Sequence, residues 1–356
     1  MKRILIATGI YPPDIGGPAT HAKLLADGLG ARVVTYTPFL RKIPTPLRQV
    51  IFFFKTWYAS RKSDLIYALS PLGTGVASAL TGKSFFVRVA GDRAWEDAVV
   101  QGRTTLLIDD FQKIKNRGFK HRMQVWVCKK ARAIVVPSRY LATIVGGWGI
   151  AQEKIHVIPN AVLSPPETAN VPDIGIRGTI LFSMGRLVPW KGFRMLIKIM
   201  PELLRINGFF RLVIAGDGPD RKTLEVMIKN LHLENKVYLL GKQSPSQVWH
   251  YLRASHIFLL NTGYEGFSHQ LLEAMTAGAP MITTNVGGNR ELIRQGENGF
   301  MVKYNDEFNL IEAVKTLSAS AELREKFIAE GRVTANSYTI DRMIEATREV
   351  LTIERR

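Results

Sequence analysis

Short apolar runs that end in a glycine turn and lead into a helical pattern recur along the chain, and this recurrence narrows the possible folds more than any other feature. KRILIAT runs into GIYPPDIGGPATHAKLLADGLG, where Gly16 and Gly17 precede a helix predicted from near Thr20 to Gly28 or Gly30. ILFSMG runs into a helix beginning at Lys191-Gly192, and FRLVIAG runs into DGPDRKTLEVMI. DLIYALS, PLGTGVASAL and SFFVRVAG carry the same rhythm through the first half. Strand, turn and helix in alternation specify an α/β chain with open parallel sheets. A length of 356 residues suggests two such domains, and 46% apolar content is enough for two cores. The prolines and polar residues of KIHVIPNAVLSPPETANVPDIGIRG mark a boundary. The expected division is a first domain over 1–165, a linker over 166–176, a second domain over 177–335 and a terminal segment over 336–356.

The stretch NTGYEGFSHQLLEAMTAGAPMITTNVGGNREL, from Asn261 to Leu292, reads as loop, helix and strand. Glu265 precedes Glu273 by eight residues, with Leu271, Leu272 and Met275 at helical spacing around the second acid. Gly278 and Pro280 stop the helix and MITT follows as a strand. At the entry to that helix the amides of Phe267, Ser268 and His269 are expected to face a phosphate or sugar oxygen. A carboxylate at Glu273 can accept two hydrogen bonds from a vicinal diol such as a ribose. The alternative is a loop acid and a helix acid that both face solvent.

With EGF, LLEAM, AGAP and GGNREL in register, the stretch resembles the Glu-x7-Glu signature of the retaining glycosyltransferases of the GT-B fold, in the group-1 (family 4) set that uses nucleotide-activated sugars. The order of motifs resembles that family from Met1 to about Leu351, more loosely between residues 85 and 125. The resemblance implies two Rossmann-like domains with parallel sheets facing across a cleft, the first for acceptor and the second for donor, with the last helix crossing back to the first. It implies transfer of a hexose-type sugar from a UDP- or GDP-linked donor to a glycan or lipid-linked acceptor, in cell-surface polysaccharide or glycolipid synthesis. GRLVPWKG resembles the family's GRL...KG motif, so Arg186 and Lys191 are implied to hold the diphosphate and meet charge on the leaving group. Gly16 and Gly17 match the glycine loop that faces the donor phosphate. LGKQS matches the segment that touches the base, which names Gly241 and Gln243. Glu265, Gly266, Phe267, Ser268, His269 and Glu273 complete the implied donor site, and Gly287 and Gly288 match a GG...E segment beside it. In this course Glu265 orients the sugar and the departing phosphate takes the acceptor proton. Gly216 and Gly218 either border the nucleoside or only make a turn.

After SFFVRVAG the family often has a histidine lining the cleft, and here Asp92, Arg93, Trp95 and Glu96 stand instead. Either Asp92 or Glu96 orients or deprotonates an acceptor hydroxyl while Trp95 stacks on a sugar face, or Asp92 caps a surface helix. His21, one turn into the helix, either reaches the cleft or is a surface or helix-start histidine. The sequence has no Asp-x-Asp and no His/Cys/Asp set at metal spacing, so neither a metal nor another cofactor is expected. A nucleotide-sugar 2-epimerase and a non-catalytic sugar-nucleotide or membrane-binding protein are the alternative classes.

Charge is uneven. Residues 1–170 carry 24 Lys and Arg against 10 Asp and Glu, and residues 171–356 carry 24 against 20, which gives +14 and +4 of the total +18. The basic first half points to an anionic partner, and without a helix-turn-helix, zinc or RNP-like signature nucleic acid is not expected. Residues 41–62, RKIPTPLRQVIFFFKTWYASRK, place Leu47, Val50, Ile51, Phe54, Trp57 and Tyr58 at helical spacing. Core packing is expected to explain most of that stripe, while the surplus Phe52 and Phe53, with Arg41, Lys42, Arg48, Lys55, Arg61 and Lys62, suit an anionic membrane surface. The lone Cys128 excludes an internal disulfide. No apolar run approaches the ~18 residues of a membrane span, and MKRILIATG is too short for a signal peptide. A cytoplasmic protein is expected, peripheral on the inner face of the cell membrane.

Overall fold

The computed structural model describes residues 2–14, 16–162 and 174–353, so most of the expected linker lies outside the described residues. The chain divides into two units, Met1–Ala161 with Ile340–Arg356, and Val162–Thr339. The first holds β1 (Ile4–Ala7), β2 (Arg32–Val34), β3 (Leu65–Ala68), β4 (Phe85–Arg88), β5 (Ile134–Val136) and β6 (Ile155–Val157). The second holds β7 (Thr179–Met184), β8 (Phe210–Ala215), β9 (Val237–Gly241), β10 (Ile257–Leu260), β11 (Met281–Thr284) and β12 (Phe300–Val302). Among the helices are α1 (Gly17–Leu29), α2 (Thr45–Ser60), α3 (Arg93–Val100), α4 (Gly118–Lys130), α5 (His269–Ala277) and α6 (Ile340–Thr352).

In the first unit six parallel strands lie in the order β2-β1-β3-β4-β5-β6, with Leu5 opposite Ile66 and Val87 opposite Ile134. The helix predicted from near Thr20 begins earlier, at Gly17, because Pro18 has the backbone angle of a first turn and needs no donor there. It ends at Gly30, which takes the left-handed conformation (φ 60°) and returns its N–H to the carbonyls of Ala26 and Asp27. Ile6, Tyr67, Phe86 and Val135 of four strands pack with Leu25 of α1 and with Met343, Val350 and Leu351 of α6. The last helix thus completes the core of the first unit.

The second sheet runs β12-β11-β10-β7-β8-β9, all parallel. Alternate residues line its two faces: Leu181, Leu212, Ile214 and Leu259 on one, Phe182, Val213, Phe258 and Leu260 on the other. Burial on both sides is why these strands read as unbroken apolar runs. The connection order reverses on either side of β7, and in open parallel sheets the carboxyl edge at such a reversal is where ligands bind.

The stripe on α2 packs opposite to expectation. The buried residues are Phe52, Thr56 and Ser60, whereas Leu47, Val50, Phe54 and Tyr58 are 52 to 64% exposed. Hydrophobic spacing sets the width of an apolar face but not which side meets the core. Here four-residue steps from Phe52 carry small polar side chains inward, and the Thr56 and Ser60 hydroxyls are satisfied by the carbonyls of Phe52 and Trp57.

Candidate active site

Loops at the carboxyl ends of β7, β8, β10 and β11 are tied together by hydrogen bonds. The Gly185 and Leu187 amides donate to Ala215 and Asp217, and Gly263 donates to the carbonyl of Trp190 at 2.7 Å. The Thr262 hydroxyl reaches the same Trp190 carbonyl at 3.2 Å, and the Asn261 amide reaches that of Gly192 at 3.0 Å. These bonds seat the segment after β10 on the 3-10 turn Pro189–Lys191. As a result the Lys191 ammonium makes an ion pair with Glu265, both side chains about one-eighth exposed. Lys191 also donates to Gln270 Oε1 at 2.9 Å, and Gln270 Nε2 donates to the carbonyl of Met184 at 2.7 Å.

Behind Glu265 lies the GG pair. A Cβ on Gly287, where φ is 52°, would stand 2.1 Å from the Glu265 carbonyl oxygen, and one on Gly288 would stand 2.3 Å from that of Gly266. Only glycines allow the two loops to approach this closely. Gly216 has a comparable role, since a Cβ there would lie 1.8 Å from the carbonyl oxygen of Gly185. Of the two readings for Gly216 and Gly218, close passage of neighbouring loops accounts for both, as a Cβ on Gly218 would meet Leu187 at 2.3 Å.

The helix carrying the second acid begins at His269, capped by Ser268, whose Oγ accepts from the Leu271 amide. Phe267 and Ser268 therefore precede the first turn instead of forming it. Phe267 is buried with its ring 5.3 Å from that of Tyr338, so its side chain supports the loop from within. Glu273 is half-buried on α5, and desolvation pushes its carboxyl up to about 7. Arg186 is exposed, and its guanidinium makes no hydrogen bond or ion pair among the described residues. Gly241 closes β9, its carbonyl accepting from the Gly216 amide, and Gln243 turns back on its own chain to donate to Leu240. A cation, a carboxylate, a neutral amide and the amino end of a helix thus stand together, a set suited to a polyol that carries phosphate.

In the first unit the structure corrects three readings. Asp92 is fully buried and its carboxylate accepts from the Ala94 and Trp95 amides and from Gln112 and Gln124 at 2.7 to 3.2 Å. Its acceptor capacity is spent on capping α3 and joining it to α4, not on an incoming hydroxyl. Trp95 is 1% exposed and its indole N–H donates to the Leu106 carbonyl, so the ring fills the core and cannot stack on a sugar. His21 is buried on α1, not a surface histidine. Glu96 pairs with Arg93 at 2.8 Å; burial raises its carboxyl, which Arg93 partly offsets. Gly16 is the N-cap of α1, with φ 130°, and Gly17 opens the helix.

Asn261, Thr262 and Gln270 escaped sequence reasoning. The first two had a signal, a polar pair placed directly after the apolar strand IFLL at a sheet edge where ligands bind. Gln270 had none, since it reads as an ordinary helix-surface residue.

Among curated proteins the chain is similar to a Campylobacter jejuni N-acetylgalactosamine-N,N'-diacetylbacillosaminyl-diphospho-undecaprenol 4-alpha-N-acetylgalactosaminyltransferase, 28% identical over 200 residues, 56% of this chain and 53% of that protein. It is also similar to a 2-deoxystreptamine N-acetyl-D-glucosaminyltransferase of Niallia circulans, 34% identical over 141 residues, 39% of this chain and 36% of that one. The matches thus span about half, or less, of these relatives. Among solved structures, that of Anabaena HepE in complex with UDP-glucose superposes with a TM-score of 0.81 at 19% identity, covering 99% of this chain and 100% of that one. Its likeness extends to the fold, the GT-B architecture of two α/β units with parallel sheets. The family described as Glycosyltransferase Family 4 matches residues 19–162 and that described as Glycosyl transferases group 1 matches 168–334. Between them these matches take in most of the chain, and the protein belongs to the group-1 glycosyltransferases.

Proposed function

We propose that the chain is a retaining hexosyltransferase that binds a UDP- or GDP-linked sugar on its second unit and passes the hexose to a glycan or lipid-linked acceptor, in cell-surface polysaccharide or glycolipid synthesis. The observation that carries this reading is the Lys191–Glu265 pair beside the amino end of α5. Lys191, the exposed Arg186 and the first turn of α5 would hold the diphosphate, and Glu273 would accept the ribose hydroxyls. In the reaction the bond from the sugar's anomeric carbon to the phosphate oxygen breaks and one to the acceptor oxygen forms on the same face. The acceptor proton passes to the departing phosphate, whose developing charge falls on Lys191 and Arg186. Glu265 would orient the sugar's hydroxyls. Two names support the donor and acceptor classes: the HepE structure holds UDP-glucose, and the Campylobacter relative is named for a diphospho-undecaprenol substrate.

For the first unit the reading includes an anionic membrane surface. No acidic residue occurs between Asp27 and Asp64, an interval that carries seven Lys and Arg. On α2 the exposed Leu47, Val50, Phe54 and Tyr58 alternate with such cations, and Arg61 lies 3.8 Å over the Trp57 ring. An open pocket at the end of α2 is rimmed by Arg3, Arg32 and Lys62. Apolar side chains that insert, next to cations that meet phosphate, are the two terms that bind a helix to a bilayer interface. Among the described residues no helix is long and apolar enough to cross a membrane.

Calorimetry with UDP-, GDP- and ADP-linked sugars tests the donor assignment, with Glu273→Ala alongside. Binding selective for one base and lost in the variant is the expected result, and no binding of any of the three would refute it.

A further inference from the structure

We propose that Gln270 is a positioning residue, which holds the Lys191 ammonium so that Glu265 does not take all of its charge and one N–H stays directed to a nucleotide's diphosphate. The inference rests on the donor-site reading above. The two ends of the Gln270 side-chain amide have fixed partners. The Met184 carbonyl can only accept, so it takes the Nε2 end at 2.7 Å. Lysine can only donate, so Oε1 must face Lys191 Nζ, at 2.9 Å. Both partners therefore impose the same amide orientation.

The backbone makes room for this bridge. Gly185 follows Met184 with φ 140°, and a Cβ there would stand 2.5 Å from Gln270 Nε2. Any other residue at that position would occupy the volume of the amide. Gln270 is also in the first turn of α5, so the lysine it holds lies beside the helix end where an anion is favoured.

An ammonium has three N–H groups; Glu265 takes one and Gln270 another. With Glu265 alone, a flexible lysine would settle wholly against the carboxylate, and the pair would present no net positive charge in a fixed direction. A neutral acceptor on a second side fixes the third N–H without adding negative charge. A glutamate at the same position would surround the ammonium with two carboxylates, which disfavours an anion, and could not donate to Met184.

Calorimetric titration with UDP, GDP, UMP and GMP of the wild type, Lys191→Ala, Gln270→Met and the double variant tests the proposal. Lys191→Ala and Gln270→Met should each weaken binding of the preferred diphosphate by about 10-fold or more while leaving the monophosphate within about 2-fold, and the double variant should be no weaker than Lys191→Ala. Additive losses, equal losses for mono- and diphosphate, or unchanged affinity in Gln270→Met would make Gln270 part of the fold alone and overturn the proposal. Unchanged diphosphate affinity in Lys191→Ala, or no nucleotide binding by the wild type, would instead remove the donor site itself, and the proposal with it. Thermal melting accompanies each titration. If Gln270→Met does not fold, the near-isosteric Gln270→Glu is judged by the same cycle, with a larger diphosphate loss expected.

Discussion

The amide of Gly288 donates to the carbonyl of Glu265 at 2.9 Å, so the Gly287-Gly288 pair is the back support of the loop that carries Glu265. Gly287→Ala would bring a methyl group against that carbonyl at a residue already in the left-handed region. The loop must shift, and Glu265 with it. Since a misplacement near 1 Å can cost about 100-fold in rate, turnover should fall by roughly that factor while the variant stays folded. Steady-state kinetics together with a circular-dichroism melt checks both halves.

Glu265→Gln should lower turnover by about 100-fold or more if the carboxylate orders the sugar in the transition state. The same change frees Lys191 from its counter-charge, so nucleoside diphosphate should bind at least as tightly as to the wild type. Wild-type turnover with ordinary donor binding would take Glu265 out of the mechanism.

The proton on Glu273 gives the site a pH signature. Burial raises its carboxyl to about 7, whereas the ordinary value is 4.5. A neutral carboxyl is a poorer partner for a vicinal diol than a carboxylate, so donor affinity should rise as pH rises toward and through 7 and level off above it. Fold stability runs the other way. The raised value favours the folded state fully below about pH 4.5, and that advantage is lost as pH rises through about 7. Glu273→Gln should flatten the affinity profile and should melt higher than the wild type at pH 8 but not at pH 4.5. Calorimetry and melts across that range measure the two effects.

The exposed face of α2 should bind vesicles that contain phosphatidylglycerol and not vesicles of phosphatidylcholine alone. Phe54→Ser with Tyr58→Ser should reduce co-sedimentation by about 10-fold or more, given roughly 1.5–3 kcal/mol for each large apolar side chain buried. Because both positions are solvent-exposed, the melting temperature should stay the same. Equal binding by wild type and variant would assign the face no part in membrane contact.

Much of the second unit was legible in the sequence because its strands and the residues of its candidate site sit in local strings. Lys191 follows a strand by one short turn, and Glu265 precedes its helix by four residues, so motif order alone brought them into one reading. Gln270 was not legible, since its meaning depends on a carbonyl 86 residues earlier in the chain. The first unit was harder. The period of α2 is the same whether its aromatic side is buried or bare, and only packing against the helix Thr74–Leu80, with β1 and β2, decides between them. Trp95 and Asp92 have the composition of a sugar site, yet the Leu106 carbonyl and the amides of Gln112 and Gln124, all distant in sequence, claim them for the fold.

The return of α6 to the first unit has a consequence for the order in which the chain is made. Arg348 donates to the carbonyl of Gly28 across 320 residues, and Met343, Val350 and Leu351 fill a core whose strands are synthesised first. On the ribosome the second unit can reach all of its own strands before residue 340 emerges, while the first waits with an unfilled apolar groove. The earlier half of the chain is therefore the later to finish folding, and its nascent form is the stage most exposed to aggregation.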